Sequence, residues 1–131
     1  MTNYISDTLL QSGDSVLDLC SSWTSHIRPS STKVLKRVAG LGMNAKELEA
    51  NTALTDWTIL DLNVDKNVRL PYEDGSFDVV MCQLSIDYLI HPLEVMKEGE
   101  EYTFMCIFWL DFLFDVVNSI SFYYYAQFFF L

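Results

Sequence analysis

Basic residues are scarce in this chain: 8 Lys and Arg stand against 18 Asp and Glu in 131 residues, a formal net charge of −10. Phosphate backbones are held by clustered Lys and Arg, so no nucleic-acid partner is expected. Cysteine is scarce too. Cys20, Cys82 and Cys106 lie far apart, with no C-x-x-C pair and no His at ligand spacing. That spacing argues against a metal site or a disulfide framework, and predicts reduced thiols in an intracellular, cytoplasmic protein. A phosphate loop and a Ser/His/Asp arrangement are both missing. Met1 to Gln11 has no basic residue and no useful apolar stretch, so no secretory or transit signal is expected. What is present is a chain half apolar and one-fifth charged, which excludes disorder. Its length suits one domain of roughly 100–150 residues.

Short apolar runs bounded by turn residues predict buried strands. Ser15-Val16-Leu17-Asp18-Leu19-Cys20 is the first, between Ser12-Gly13-Asp14 and Ser21-Ser22. Arg37 to Gly42, Trp57 to Leu62 and Phe77 to Cys82 are the second, third and fourth. Pro29 to Lys36 reads as a short helix or a turn-rich connection. Asn44, three residues before Glu47, satisfies the first orphan amides of a helix over Ala45 to Ala50 that fades near Asn51. Glu73-Asp74-Gly75 marks a turn, and Pro92 opens a short helix to about Glu98. Strands alternating with helical or turn segments imply a parallel sheet with right-handed crossovers, the first half of a doubly wound α/β domain. In such sheets ligands sit outside the carboxyl ends of the strands, where the strand order reverses. The segments to watch are therefore Asp18–His26, Gly40–Asn44 and Asp61–Asn63.

At these ends the sequence resembles the class I S-adenosylmethionine-dependent methyltransferases, specifically the methyltransferase type 11 group. The matching residues are Val16-Leu17-Asp18-Leu19-Cys20-Ser21-Ser22-Trp23, then Val38-Ala39-Gly40-Leu41-Gly42-Met43-Asn44, then Asp61-Leu62-Asn63. Leu70-Pro71-Tyr72-Glu73-Asp74-Gly75-Ser76-Phe77-Asp78-Val79-Val80 and Leu84-Ser85-Ile86-Asp87-Tyr88-Leu89 complete the likeness, over about residues 14–98. The Asp-Leu-Cys-Ser-Ser-Trp wording is similar to a plant subgroup. The resemblance implies a Rossmann-like fold, S-adenosylmethionine as cofactor, and Asp18 supporting the loop at the cofactor's amino-acid end. It implies that the backbone of Cys20, Ser21, Ser22 and Trp23 makes the close approach that relatives make with glycine. Asp61 and the Leu62 backbone match the position that recognises adenine. The ribose acid of the family falls on Gly42, with Asn44 or the Ser21–His26 loop as a substitute. Taken alone, Asp18, Asp61 and Asp78 would read as strand-end caps or solvated acids, and His26 and His91 as ordinary loop histidines.

After Glu98 the likeness ends. Residues 99–131 contain no Lys, Arg, His or Pro, and Tyr102 to Leu131 holds 13 of the 19 aromatic residues. The expected organisation is a partial cofactor-binding domain over 1–98 and an aromatic, hydrophobic C-terminal tail over 99–131, as in a truncated or alternatively spliced product. Three readings of the tail stay open. As a membrane helix, the 11 Leu, Ile, Val and Phe of Phe104–Phe122 contribute roughly −5 kcal/mol and Asp111 with Asp115 oppose it by roughly +6, so membrane contact through Tyr102–Leu131 is marginal. As a strand, Thr103 to Trp109 would pair beside the fourth strand. As unselected sequence, Tyr123 to Leu131 is an aggregation hazard. The functional expectation is methyl transfer to a small-molecule acceptor; the alternative is an inactive cofactor-binding remnant or an interaction fragment, held at a membrane by the tail.

Overall fold

A computed structural model of the chain describes residues 5–28, 34–83, 85–100 and 102–109. Strand β1, Ser15–Leu19, is buried at all five positions, Asp18 included, as a strand covered by a layer on each face must be. Strand β2 spans Arg37–Gly42, β3 Asp56–Ile59, β4 Phe77–Gln83 and β5 Thr103–Trp109. They form one sheet in the order β3-β2-β1-β4-β5, and every neighbouring pair is parallel. The order reverses between β1 and β4, which is the switch point of a Rossmann-like half-sheet.

Two apolar clusters cover the two faces. Leu17, Leu19, Ala39, Leu41, Val80 and Cys82 face one side, with Leu62, Leu70, Val95 and Tyr102 packed over them. Val16, Val38, Val79 and Met81 face the other, beneath Leu10 and Ile27. The alternation puts Asp18 on the second face, in line with Val16. Helix α1, Ala45–Ala50, starts where the capping pattern placed it: Asn44 Oδ1 accepts from the Lys46 amide at 3.1 Å and Asn44 Nδ2 donates to Glu47 at 2.7 Å. Helix α2, Pro92–Glu100, opens on its proline and runs two residues past the expected end.

Three local expectations need adjusting. Strand β3 stops at Ile59, not Leu62, because the Leu60 amide makes the last bond to β2, at Gly42 O, and Asp61 then folds into a turn with its carboxylate on the Asn63 amide. A π-helical turn over Ile5–Leu9 had no sequence signature. Residues 34–36 are not helical, and 29–33 of the Pro29–Lys36 connection lie outside the described residues. Of the tail, Thr103–Trp109 is a strand in register with β4, from Phe77↔Thr103 to Gln83↔Trp109. For that stretch the strand reading holds in place of the membrane helix. Residues 110–131 lie outside the described residues. Among the described residues no helix is long and apolar enough to cross a membrane.

Candidate functional site

A cavity of about 140 Å³ opens at the carboxyl ends of β1 and β4, at the switch point. Asp18 and Cys20 reach it from β1 and its exit, Ser21, Ser22, Thr24, Ser25 and His26 from the following loop, and Gln83 and Ser85 from the end of β4; Trp23 does not line it. The loop starts with a turn that few side chains tolerate. Cys20 has φ +56°, the left-handed conformation for which glycine is the ordinary choice. A non-glycine residue carries a cost of roughly 1–2 kcal/mol there, so the surrounding structure must hold the turn. Three contacts do so. The Ser21 amide bonds Leu41 O at 2.9 Å. Asn51, buried at the end of α1, donates from Nδ2 to Ser22 O at 2.8 Å and to Ser25 Oγ at 2.9 Å. Gly42 completes the clamp, since a Cβ at that position would stand 2.2 Å from Ser21 O.

Asp18 dominates the electrostatics. It is 3% exposed, and burial pushes its carboxyl up to about 6 although the Ser25 and Ser21 hydroxyls donate to it. Its Oδ2 has no hydrogen-bond partner, and neither has Oε1 of the buried Gln83. Gln83 spends its Nε2 on Met81 Sδ and Ser25 O. Two buried acceptor oxygens, one of them on a carboxylate, therefore lack a donor on residues that line the cavity. Unpaired groups of this kind are rare in folded interiors and cost about 1–3 kcal/mol each. They fit a ligand that brings N–H donors and positive charge.

The cavity gathers Asp18, Cys20, Ser21 and Ser22 from the sequence-predicted set. Gly42 stands behind it, under Ser21. Gly40 is a packing position: a Cβ there would meet Leu54 Cδ1 at 2.4 Å. The Asn44 amide is engaged at both ends in capping α1. Asp61 holds the turn after β3, and Leu62 is buried in the first core cluster. These last four do not line the cavity. Nearby, Asn63 ties the β3 exit to the loop after β4, donating to Tyr88 O at 3.0 Å and accepting from the Ile90 amide at 2.8 Å. Sequence reasoning gave no role to Gln83 or Asn51, and covered Ser25 only as part of the Ser21–His26 loop. Gln83 carried a usable signal, a polar residue closing the apolar run Val79–Cys82 at the end of the fourth strand. Among the described residues no group of three or more His, Cys, Asp or Glu could hold a metal.

The family model described as the methyltransferase domain matches residues 17–102, which is 86 of the 131 residues. The chain belongs to this methyltransferase domain family. Solved members of the same fold are similar at low identity. A chain of the complex between the Haloferax volcanii Trm112 methyltransferase activator and a methyltransferase is 19% identical, with a TM-score of 0.60 over 79% of this chain and 49% of its own. Phosphoethanolamine N-methyltransferase 1 of Haemonchus contortus, in complex with phosphoethanolamine and S-adenosylhomocysteine, is 14% identical, with a TM-score of 0.60 over 78% of this chain and 22% of its own. The [4+2]-cyclase SpnF is 18% identical, with a TM-score of 0.61 over 78% of this chain and 39% of its own. This methyltransferase-family chain thus spans half or less of the length of these three structures. No curated protein matches it.

Proposed function

We propose that the chain binds S-adenosylmethionine across the carboxyl ends of its strands and serves methyl transfer to a small-molecule acceptor. The observation that carries the reading is the pair of unpartnered buried oxygens, Asp18 Oδ2 and Gln83 Oε1, at one cavity. An α-ammonium group supplies both the donors and the charge that they lack. The cavity is smaller than the roughly 300–1,000 Å³ of whole-ligand sites, so it suits the amino-acid end alone. The nucleoside then falls toward Gly42, Asp61 and Leu62, with Asp61 and the Leu62 backbone at the adenine.

When bound, the cofactor supplies a methyl group on a positively charged sulfur, which makes that carbon electrophilic. The chain's own residues bind and orient. Asp18 takes the ammonium and gains a counter-charge for its buried carboxylate. Ser21 and Ser22 present backbone in a loop that Asn51 and Gly42 hold in place. Methyl transfer is a direct displacement, so positioning and exclusion of water are the main protein contributions. The fit is poorer at the ribose. Gly42 carries no carboxylate and has no room for one, and a lost charge-assisted hydrogen bond costs about 1.5–3 kcal/mol. A modest cofactor affinity follows. A cytoplasmic location and kinship with a plant subgroup belong to the same reading.

Isothermal titration of the full chain with S-adenosylhomocysteine tests it, beside Asp18→Asn and Asp61→Ala. Saturable binding that both variants weaken supports the reading. No heat and no thermal shift in the folded wild type would overturn it. The presence of a [4+2]-cyclase on this fold supports a second reading, cofactor binding without methyl transfer. Binding without turnover of methyl-labelled cofactor across an acceptor screen selects that one.

A further inference from the structure

Cys20 and Cys82 come together beside the cavity. Strands β1 and β4 pair with Leu19 opposite Cys82, and Cys20 is the next residue along. With strands about 4.8 Å apart and a rise of about 3.3 Å per residue, that register gives Cys20 and Cys82 an α-carbon separation on the order of 6 Å. Disulfides form across about 4.4–6.8 Å. In a continuing strand, Cys20 would point to the opposite face from Leu19 and Cys82. The left-handed turn at φ +56° removes it from the strand, and Cys20 packs against the cluster that contains Cys82. Cys82 is fully buried, whereas Cys20 is half-buried and lines the cavity.

We propose that Cys20 and Cys82 are a redox-active dithiol, a modification site at which a peroxide-class oxidant closes an intrachain disulfide at the exit of β1. The closeness of the two thiols holds Cys20 below and Cys82 well above the usual thiol range. Their roles follow: Cys20 attacks and Cys82 resolves. A cavity of about 140 Å³ admits hydrogen peroxide to Cys20, since even a water needs only about 30 Å³. The Cys20 thiolate attacks one peroxide oxygen, an S–O bond forms, the O–O bond breaks, and the departing hydroxide takes up the thiol's proton as water. The Cys82 sulfur then attacks the sulfenic sulfur, the S–S bond forms, and the S–O oxygen leaves with the Cys82 proton as a second water. Two thiols are oxidised and one peroxide is reduced. The proposal does not depend on the methyltransferase reading, because its readout is thiol chemistry.

The full chain is reduced, desalted, treated with one equivalent of hydrogen peroxide, quenched with N-ethylmaleimide and examined by intact and peptide mass spectrometry. Expected is a monomer that takes one maleimide in place of three, on Cys106, with a linked Cys20–Cys82 peptide. In Cys82→Ser the reaction stops at the Cys20 sulfenic acid, which dimedone traps; in Cys20→Ser neither product forms. Three maleimides on the treated wild type would overturn the proposal. So would a link through Cys106, or dimedone on wild-type Cys20 with Cys82 still free. The wild-type result alone decides, whether or not a variant folds.

Discussion

Replacing Asp18 with Asn separates the cost of the site from its use. Asp18 is 3% exposed, and its carboxyl is raised from 3.8 to about 6, chiefly by burial. A folded-state value above the unfolded one means that the folded chain holds the proton more tightly. Well below pH 3.8 the carboxyl is protonated in both states and costs nothing. Between pH 4 and 6 the unfolded chain ionises first, and stability falls. Above pH 6 the full penalty stands, about 3 kcal/mol at 1.36 kcal/mol per unit. Asn has the same shape and no charge, but its amide places a new donor at the unpaired Oδ2 position. Allowing roughly 1 kcal/mol for that donor, Asp18→Asn gains about 2 kcal/mol above pH 6, or roughly 8 °C in melting temperature, and none well below pH 3.8. Melting curves of both proteins from pH 4 to 8, with no ligand, read the difference directly. The same substitution removes S-adenosylhomocysteine binding. In the wild type that affinity falls about tenfold from pH 7.5 to pH 5, where about a tenth of the carboxyls are ionised. A variant equally destabilised at pH 4 and pH 7.5 would refute the reasoning and leave Asp18 a structural acceptor.

The clamp around the cavity can be tested at its other members. Gly42→Ala forces a methyl against Ser21 O, 2.2 Å from where the Cβ would lie, and should cost about 1–3 kcal/mol in urea unfolding while weakening ligand binding. Asn51→Ala leaves Ser22 O and Ser25 Oγ without their donor and should cost about 1–3 kcal/mol, with earlier proteolysis in the 21–26 loop as the local signature. Away from the site, Arg37 makes a two-pronged pair with Asp56, at 2.6 and 3.0 Å, over the rings of Tyr72 and Phe77. Both side chains are more than one-third exposed, so solvent screening limits the loss in Arg37→Gln to about 1 kcal/mol. The pair lowers the Asp56 carboxyl. Its contribution is therefore present above the unfolded value and is lost as pH falls through the folded one, so the variant and wild type should converge in acid melts.

Much of the fold was legible because its determinants are local. The runs Ser15–Leu19, Arg37–Gly42 and Phe77–Cys82 are mostly apolar without strict alternation, the pattern of strands in a sheet covered on both faces. Asn44 with Glu47 and Pro92 announce helix starts through backbone amides within three residues. Ile59 as the end of β3 was not legible, because the competing turn depends on the Asp61 carboxylate reaching the Asn63 amide. The site was legible in part. Asp18, Cys20, Ser21 and Ser22 were singled out by the family resemblance at the end of the first strand, not by their chemistry alone. Gly42 read as a missing acid; in the structure it is the gap through which the Ser21 backbone passes.

The sequence by itself determined a parallel α/β sheet, its strand-end acids and the family pattern, because period, caps and turns are written in neighbouring residues. Only the tertiary structure decided that Asp18 is buried with one carboxylate oxygen unpartnered, that Gln83 joins it from 65 residues away in the chain, and that Cys20 turns back onto the cluster that holds Cys82. Burial and pairing are properties of space. They arise when β1 and β4, distant in sequence, become neighbours at the switch point and exclude water from what lies between them.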